Sequence, residues 1–293
     1  MPANLDVISA VTTPFTSSGE LDLPAARRLF ALLAGTTGNL FVAGTTGEFP
    51  ALADAERLAL FEAALAEAGP EHVIAHVGAP DARHARRLAA AAVTAGAQRL
   101  AAITPYYLPA APEEVMAYYA EVAVAADGAE LYAYLFPERT GVGVSPAQLA
   151  SLAAECGLAG AKLSGAAGSA LDEYAGVMPA GFRLYTGHDD ELPRAAEMGI
   201  TGVVSGLSSA YPELFVRLAG ALAAGRAAEA AGAQAAVLRI CAAGYTTAHL
   251  KYALSVRGVT GPAARMTAGV VDDASAVAIA DLVRELVPGP SVR

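Results

Sequence analysis

The feature that most constrains this chain is an alternation of two kinds of segment. Short apolar stretches rich in strand-forming residues recur eight times: VISAV (7–11), NLFVA (39–43), VIAHV (73–77), RLAAI (99–103), ELYAYL (130–135), LAGAK (158–162), RLYT (183–186) and GVVS (202–205). Between most of them lie helical patterns, such as LPAARRLFALLAG from 23 and PEEVMAYYAEVAVAA from 112. Several open on Asp, Ser or Pro and close on Gly, as helix caps demand. After LAGAK the weaker SALDEYAGVM supplies a short helix. Near-equal strand–helix units with no long insertion predict an α/β fold, a (β/α)8 TIM barrel, in preference to a doubly wound sheet. Strand patterning stops near residue 226. RAAEAAGAQAAVLRICAAG, TTAHLKYALSVRG and DDASAVAIADLVRELV then read as helices packed on the barrel. The expected organisation is a catalytic barrel over 1–225 and a C-terminal helical appendage over 226–293.

Composition narrows the class. A net charge of −10 argues against a nucleic-acid partner. No run reaches the ~18 apolar residues of a membrane span. The start, MPANLDV, lacks a basic segment followed by an apolar one, so no signal peptide is expected. Two cysteines, Cys156 and Cys241, make no disulfide framework, and a reduced cytoplasm fits. Only 16% of residues are charged, which points to surface covered by other copies in a homo-oligomer.

Active sites of such barrels form at the C-terminal ends of the strands. Following the eight segments, those ends carry Thr12-Thr13-Pro14, Gly44-Thr45-Thr46-Gly47-Glu48, Thr104-Pro105-Tyr106-Tyr107, Tyr134 with Pro137-Glu138-Arg139-Thr140-Gly141, Lys162, Gly187-His188-Asp189 and Ser205-Gly206. The opposite ends show no comparable collection. Lys162 stands among Gly, Ala and Leu in GLAGAKLSGAAG, and the chain has only one other lysine, Lys251. Arginine cannot lose its proton near neutral pH, whereas a desolvated lysine can. An amine stripped of water at a strand end attacks a ketone and forms a Schiff base, which is class I aldolase chemistry.

Tyr134, on the adjacent strand, is placed to move protons, with Thr45 and Tyr107 as relay partners. The Gly-Thr-Thr-Gly turn offers backbone N–H groups and hydroxyls to a carboxylate. A 2-keto acid would thus meet Lys162 through its ketone and Thr45-Thr46 through its carboxylate. The five histidines show no metal-ligand spacing, so no metal is expected. His188-Asp189-Asp190 reads as a helix N-terminal cap, and Lys251 as structural.

These residues resemble the dihydrodipicolinate synthase / N-acetylneuraminate lyase family of pyruvate-dependent class I aldolases. VTTPF (11–15), GTTGE (44–48), TPYY (104–107), Y-x-x-P-x-R-T-G (134–141) and G-x-K (160–162) match its motifs in order. The resemblance covers the barrel to about residue 210, and KYAL (251–254) extends it into the C-terminal helices. It implies that Lys162 carries the imine, Tyr134 shuttles protons, and Thr45 and Tyr107 complete the relay, Tyr107 often reaching into a neighbouring subunit. It further implies that Thr46 holds the pyruvate carboxylate, that the Val204 backbone lies against pyruvate, and that Arg139 binds an acidic acceptor, as in the synthase branch. Gly187 and Ser205 are read as shaping the pocket without acting as reagents. The resemblance implies no cofactor, and an assembly of two or four copies.

The chain departs from the synthase pattern at Leu163, at Leu108 and in YLFPERTG. A 2-keto-3-deoxy sugar acid aldolase or dehydratase is therefore the alternative reading. A non-catalytic keto-acid sensor is the rival from another class, and a metal-dependent aldolase on the same fold is a further one.

Overall fold

The computed structural model describes residues 5–287. Eight parallel strands close into a barrel in chain order: β1 (Asp6–Ala10), β2 (Asn39–Val42), β3 (Val73–His76), β4 (Arg99–Ile103), β5 (Glu130–Leu135), β6 (Gly160–Leu163), β7 (Arg183–Thr186) and β8 (Gly202–Ser205). β1 pairs with β8, with Ile8 opposite Val204, and this contact shuts the sheet. The eight expected strands are thus all present. The sixth begins two residues later than LAGAK and runs to Leu163.

The core has two shells because each strand side chain alternates between the barrel interior and the helical layer. The interior shell contains Ile8, Phe41, Phe49, Ile74, Ile103, Tyr132, Tyr134, Tyr185 and Val204. The outer shell packs the other strand faces against alanine-rich helix faces, for example Ala25, Ala26, Leu29 and Leu33 of the helix Leu23–Ala34. Small inner faces let the helices approach the sheet closely. Helix starts follow local capping rules: Asp22, Asp81 and Ser145 each accept a backbone N–H of the first turn.

Between β6 and β7 the weak pattern gives two single-turn helices, Ala166–Ser169 and Leu171–Ala175. Three helices follow the barrel: Ala227–Ala243, Thr247–Val256 and Asp273–Leu286. The outermost ends of both expected units, 1–4 and 288–293, lie outside the described residues.

The N-terminal end of the barrel corrects one expectation, because it too carries a polar collection. Strand-initial residues Asp6, Asn39, Arg99, Glu130 and Arg183 meet there. Arg183 pairs with Glu130 at 2.5 Å, and Arg99 lies 3.6 Å from the same carboxylate. Arg99 also reaches Asn39 and the Glu71 carbonyl, at 3.5 and 3.1 Å. The Tyr185 hydroxyl donates to Asp6 at 3.0 Å, and the Tyr132 hydroxyl to Glu130 at 2.9 Å. These groups bond and pair with one another at the floor of the barrel.

Candidate active site

Lys162 lies on β6, opposite Tyr134 on β5 and Tyr185 on β7. Its residue is 8% exposed, so the amine sits at the inner edge of the mouth rather than in bulk water. Its Nζ lies 4.4 Å from the Tyr134 ring centre and 5.0 Å from that of Phe41. Aromatic faces attract a cation but offer it no acceptor oxygen, unlike a carboxylate. Among the described residues none of the ion pairs involves Lys162, whereas Lys251 is paired with Glu48.

Tyr134 is buried, with its hydroxyl 3.2 Å from the Thr45 hydroxyl, where either can donate. This contact joins β5 to the turn after β2. The turn closes through Glu48 N–H to the Thr45 carbonyl and Phe49 N–H to the Gly44 carbonyl. Thr13 fastens it from the segment after β1, its hydroxyl donating to the Gly47 carbonyl at 2.7 Å. Gly44 is required there, since a Cβ would run into the Phe41 ring. Thr46 is half-buried beside Gly206, after β8.

The remaining expected residues fall at graded distances from this centre. Val204 is buried in the interior shell. Gly187 directly follows β7, where a Cβ would collide with the Ser164 hydroxyl. Ser205 is fully buried. Its hydroxyl donates to Asp189 and accepts the N–H of Ser208 at 2.8 Å, so it shapes the wall through internal bonds. Arg139 is exposed at the rim, its guanidinium 5.6 Å from the Phe136 ring centre. Neighbouring Glu138 ties the rim together by accepting the Ala166 N–H at 2.7 Å. Tyr107 is not at the centre of its own chain: it is 90% exposed and its backbone is left-handed, at φ 83°.

Two features escaped the sequence reading. Asp189 does not cap the helix Leu192–Met198, whose N-cap is Glu191. It reaches across to β8, accepting from Ser205 and from the Leu207 N–H at 3.1 Å. Burial pushes its carboxyl above the usual range, while those donors and the nearby Lys162 ammonium act in the opposite sense. The signal, an acid three residues beyond a strand end, was present but fitted a cap equally well.

His76 is the second. Its Nδ1 donates to the Ala43 carbonyl at 2.8 Å and its Nε2 accepts the Ile103 N–H at 3.3 Å, which defines a neutral tautomer. Burial, helped by the Arg57 charge, holds it well below the ordinary histidine value. Arg57 is itself buried and pulled down to about 10 by desolvation. Its guanidinium donates to the His76 and Gly78 carbonyls and lies over Phe49. Among the described residues no group of three or more His, Cys, Asp or Glu is gathered as a metal ion would need. No described helix is long and apolar enough to cross a membrane.

The family model described as the dihydrodipicolinate synthetase family matches residues 3–285. 4-Hydroxy-tetrahydrodipicolinate synthase 1 of Streptomyces coelicolor is 36% identical over 226 residues, covering 76% of this chain and 73% of that protein. An uncharacterised DapA-like lyase of Halobacterium salinarum is 34% identical over 287 residues, covering 94% and 92%. Among solved structures, YagE, a prophage protein of the dihydrodipicolinic acid synthase family from E. coli K12 in complex with pyruvate, superposes with a TM-score of 0.88. It is 26% identical, with 96% of this chain and 98% of that chain covered.

Proposed function

Because this chain belongs to the dihydrodipicolinate synthetase family and is an enzyme of the lyase class, we propose that it condenses or cleaves at pyruvate, or a related 2-keto acid, through an imine on Lys162. The observation that carries this reading is a buried amine, in no ion pair among the described residues, lying over the ring of a tyrosine whose hydroxyl is in contact with a threonine. The amine attacks the C2 carbonyl of pyruvate, forming an N–C bond while the oxygen takes up a proton. Loss of water leaves the iminium. A C3 proton then leaves to the Tyr134–Thr45 relay, giving an enamine. Its C3 attacks an aldehyde carbon, and the aldehyde oxygen receives the proton. Water adds at C2 and frees the lysine. The Gly44–Glu48 turn meets the substrate carboxylate through Thr46.

The acceptor is an aldehyde bearing a carboxylate, as in a 4-hydroxy-tetrahydrodipicolinate synthase. Support comes from Arg139, an exposed cation stacked on Phe136 at the rim. The working form is a cytoplasmic dimer or tetramer in which Tyr107 enters a neighbouring copy's site. Its solvent-facing ring and left-handed backbone, next to a Leu108 that is 69% exposed, support this. Such a backbone costs about 1 kcal/mol or more and persists where surroundings enforce it.

Borohydride reduction in the presence of pyruvate, followed by peptide mass spectrometry, tests the centre: the adduct is expected on Lys162, and an adduct elsewhere or none sinks the reading. Product analysis with pyruvate plus aspartate semialdehyde or glyceraldehyde separates the acidic acceptor from a sugar-acid aldolase. Sedimentation velocity reads the assembly, and a monomer that stays monomeric at micromolar concentration counts against the role of Tyr107.

A further inference from the structure

The second lysine stands at the junction of the C-terminal helices and the mouth. Lys251, on the helix Thr247–Val256, is fully buried. Its ammonium pairs with Glu48, donates to the Ala263 carbonyl at 2.7 Å and lies 4.4 Å from the Phe15 ring centre. Desolvation lowers its proton affinity, and the Glu48 charge opposes that. Glu48 is the last residue of the Gly44–Glu48 turn. It is 1% exposed and held left-handed, at φ 58°. Its other oxygen accepts the N–H groups of Arg265 and Met266, each at 2.8 Å. Arg265 in turn grips Glu56 at 2.6 and 2.7 Å, the Gly19 carbonyl at 2.7 Å and the Ala51 carbonyl at 3.0 Å. It shares the Phe15 ring with Lys251, at 4.4 Å.

Stability alone accounts poorly for this arrangement. Burying two ions costs several kcal/mol, and well-packed apolar residues of equal volume often stabilise as much or more. A buried pair does, however, fix one geometry. The geometry at stake is three residues away, where the Thr45 and Tyr134 hydroxyls meet at 3.2 Å. That is already long for two hydroxyls, so a small drift of the turn parts them. Thr46 on the same turn faces Gly206, and Gly206 also adjoins Leu250, the neighbour of Lys251. The turn is therefore tied to the C-terminal helix at Glu48, with Leu250 of that helix close to Thr46 across Gly206.

We propose that Glu48 and Lys251 are a positioning pair, through which the C-terminal helices hold the Gly44–Glu48 turn so that Thr45 meets Tyr134 and Thr46 meets the substrate carboxylate. The proposal rests on the imine reading of Lys162 and makes the C-terminal helices part of the catalytic unit.

The test is the double variant Glu48→Gln/Lys251→Met, which removes both charges and so avoids stranding one. In D2O, exchange of the pyruvate methyl hydrogens, followed by NMR, reports the proton relay without needing an acceptor aldehyde. The exchange rate at saturating pyruvate is expected to fall about 10-fold to 100-fold. The melting temperature should stay level or rise, and the borohydride adduct on Lys162 should still form. An exchange rate equal to wild type overturns the proposal, whatever the melting temperature. If the double variant does not fold, Glu48→Asp keeps both charges and withdraws the carboxylate by one carbon; an unchanged rate there overturns it equally. Amide hydrogen exchange over residues 44–48, read by mass spectrometry, is independent of the chemistry at Lys162. Faster exchange in the variant supports the pair even if wild type traps no pyruvate, a failure that falls on the imine alone. Unchanged protection defeats the pair even if the imine is real.

Discussion

Tyr132 and Tyr134 stand two residues apart on one strand and face the same barrel interior, yet their surroundings are opposite. At the floor, Tyr132 lies between two guanidinium groups, 5.5 Å from Arg99 and 5.1 Å from Arg183, and Glu130 answers both cations. Burial pushes the Tyr132 phenol up to about 12, against the pull of the arginines. At the mouth, Tyr134 lies under the Lys162 ammonium, which is in no ion pair among the described residues. At the floor the cations are arginines, which stay charged, and they share a carboxylate. The mouth uses a lysine, which unlike arginine can give up its proton when desolvated, and the amine lies over two rings. One barrel interior thus holds cations in two settings, ion-paired at the floor and ringed by aromatic faces at the mouth, where the imine is proposed.

The largest effect that would break this contrast is at Lys162. Lys162→Met should abolish adduct trapping and lower turnover at least about 1,000-fold, since the bond-forming nitrogen is gone. The melting temperature should not fall, because the replaced ammonium had no carboxylate partner to strand. A large loss of stability would show that the mouth lysine is structural after all.

Next in size is Tyr134→Phe, which keeps the ring beneath the amine and removes only the hydroxyl. Imine formation with pyruvate should remain trappable, while methyl-hydrogen exchange slows about 100-fold. Equal loss of both would assign the hydroxyl to imine formation instead of to the later proton step.

This contrast was half legible in the sequence. β-Branched and apolar runs bounded by caps place all eight strands, and a closed parallel barrel puts their ends on one rim. Lys162, Tyr134 and Thr45 follow from that alone. The floor was not seen, although its sign was on the page: Asp6, Asn39, Arg99, Glu130 and Arg183 each begin a strand. Strand-initial charges read singly look like solvated ends, and only closure of the sheet brings them together. Asp189 was read as a cap for a related reason: it bonds to the turn after β8, which periodicity does not locate. Glu48 was legible as part of its turn, but its partners lie more than two hundred residues away.

A smaller effect sharpens the floor's side. Glu130→Gln takes away the charge that Arg99 and Arg183 share, but the pair is more than a third exposed, so solvent screens much of the loss. Urea denaturation should show a fall of about 1 kcal/mol. The rate of pyruvate methyl-hydrogen exchange should be unchanged. A change in that rate would mean that floor and mouth are coupled through β5.

The smallest expected effect concerns His76, whose ring packs on Tyr134, Phe41 and Phe49 at the edge of the uncharged side. In the folded chain the imidazole stays neutral well below its ordinary value, because it is buried and faces the Arg57 cation. The unfolded chain takes up that proton near pH 6.5. Below that pH the unfolded state binds more protons than the folded one, so stability is full above the unfolded value and declines as pH falls, by at most about 1.4 kcal/mol per unit. His76→Asn keeps a donor for the Ala43 carbonyl but does not titrate. Its stability should therefore fall less steeply than wild type between about pH 6.5 and 5.5. Asp189 has the opposite sign, its raised carboxyl favouring the folded state at low pH. It is present in both proteins and cancels in the difference. Identical slopes would mean that the folded barrel accepts a proton at His76, and that a second cation can be housed within reach of Lys162.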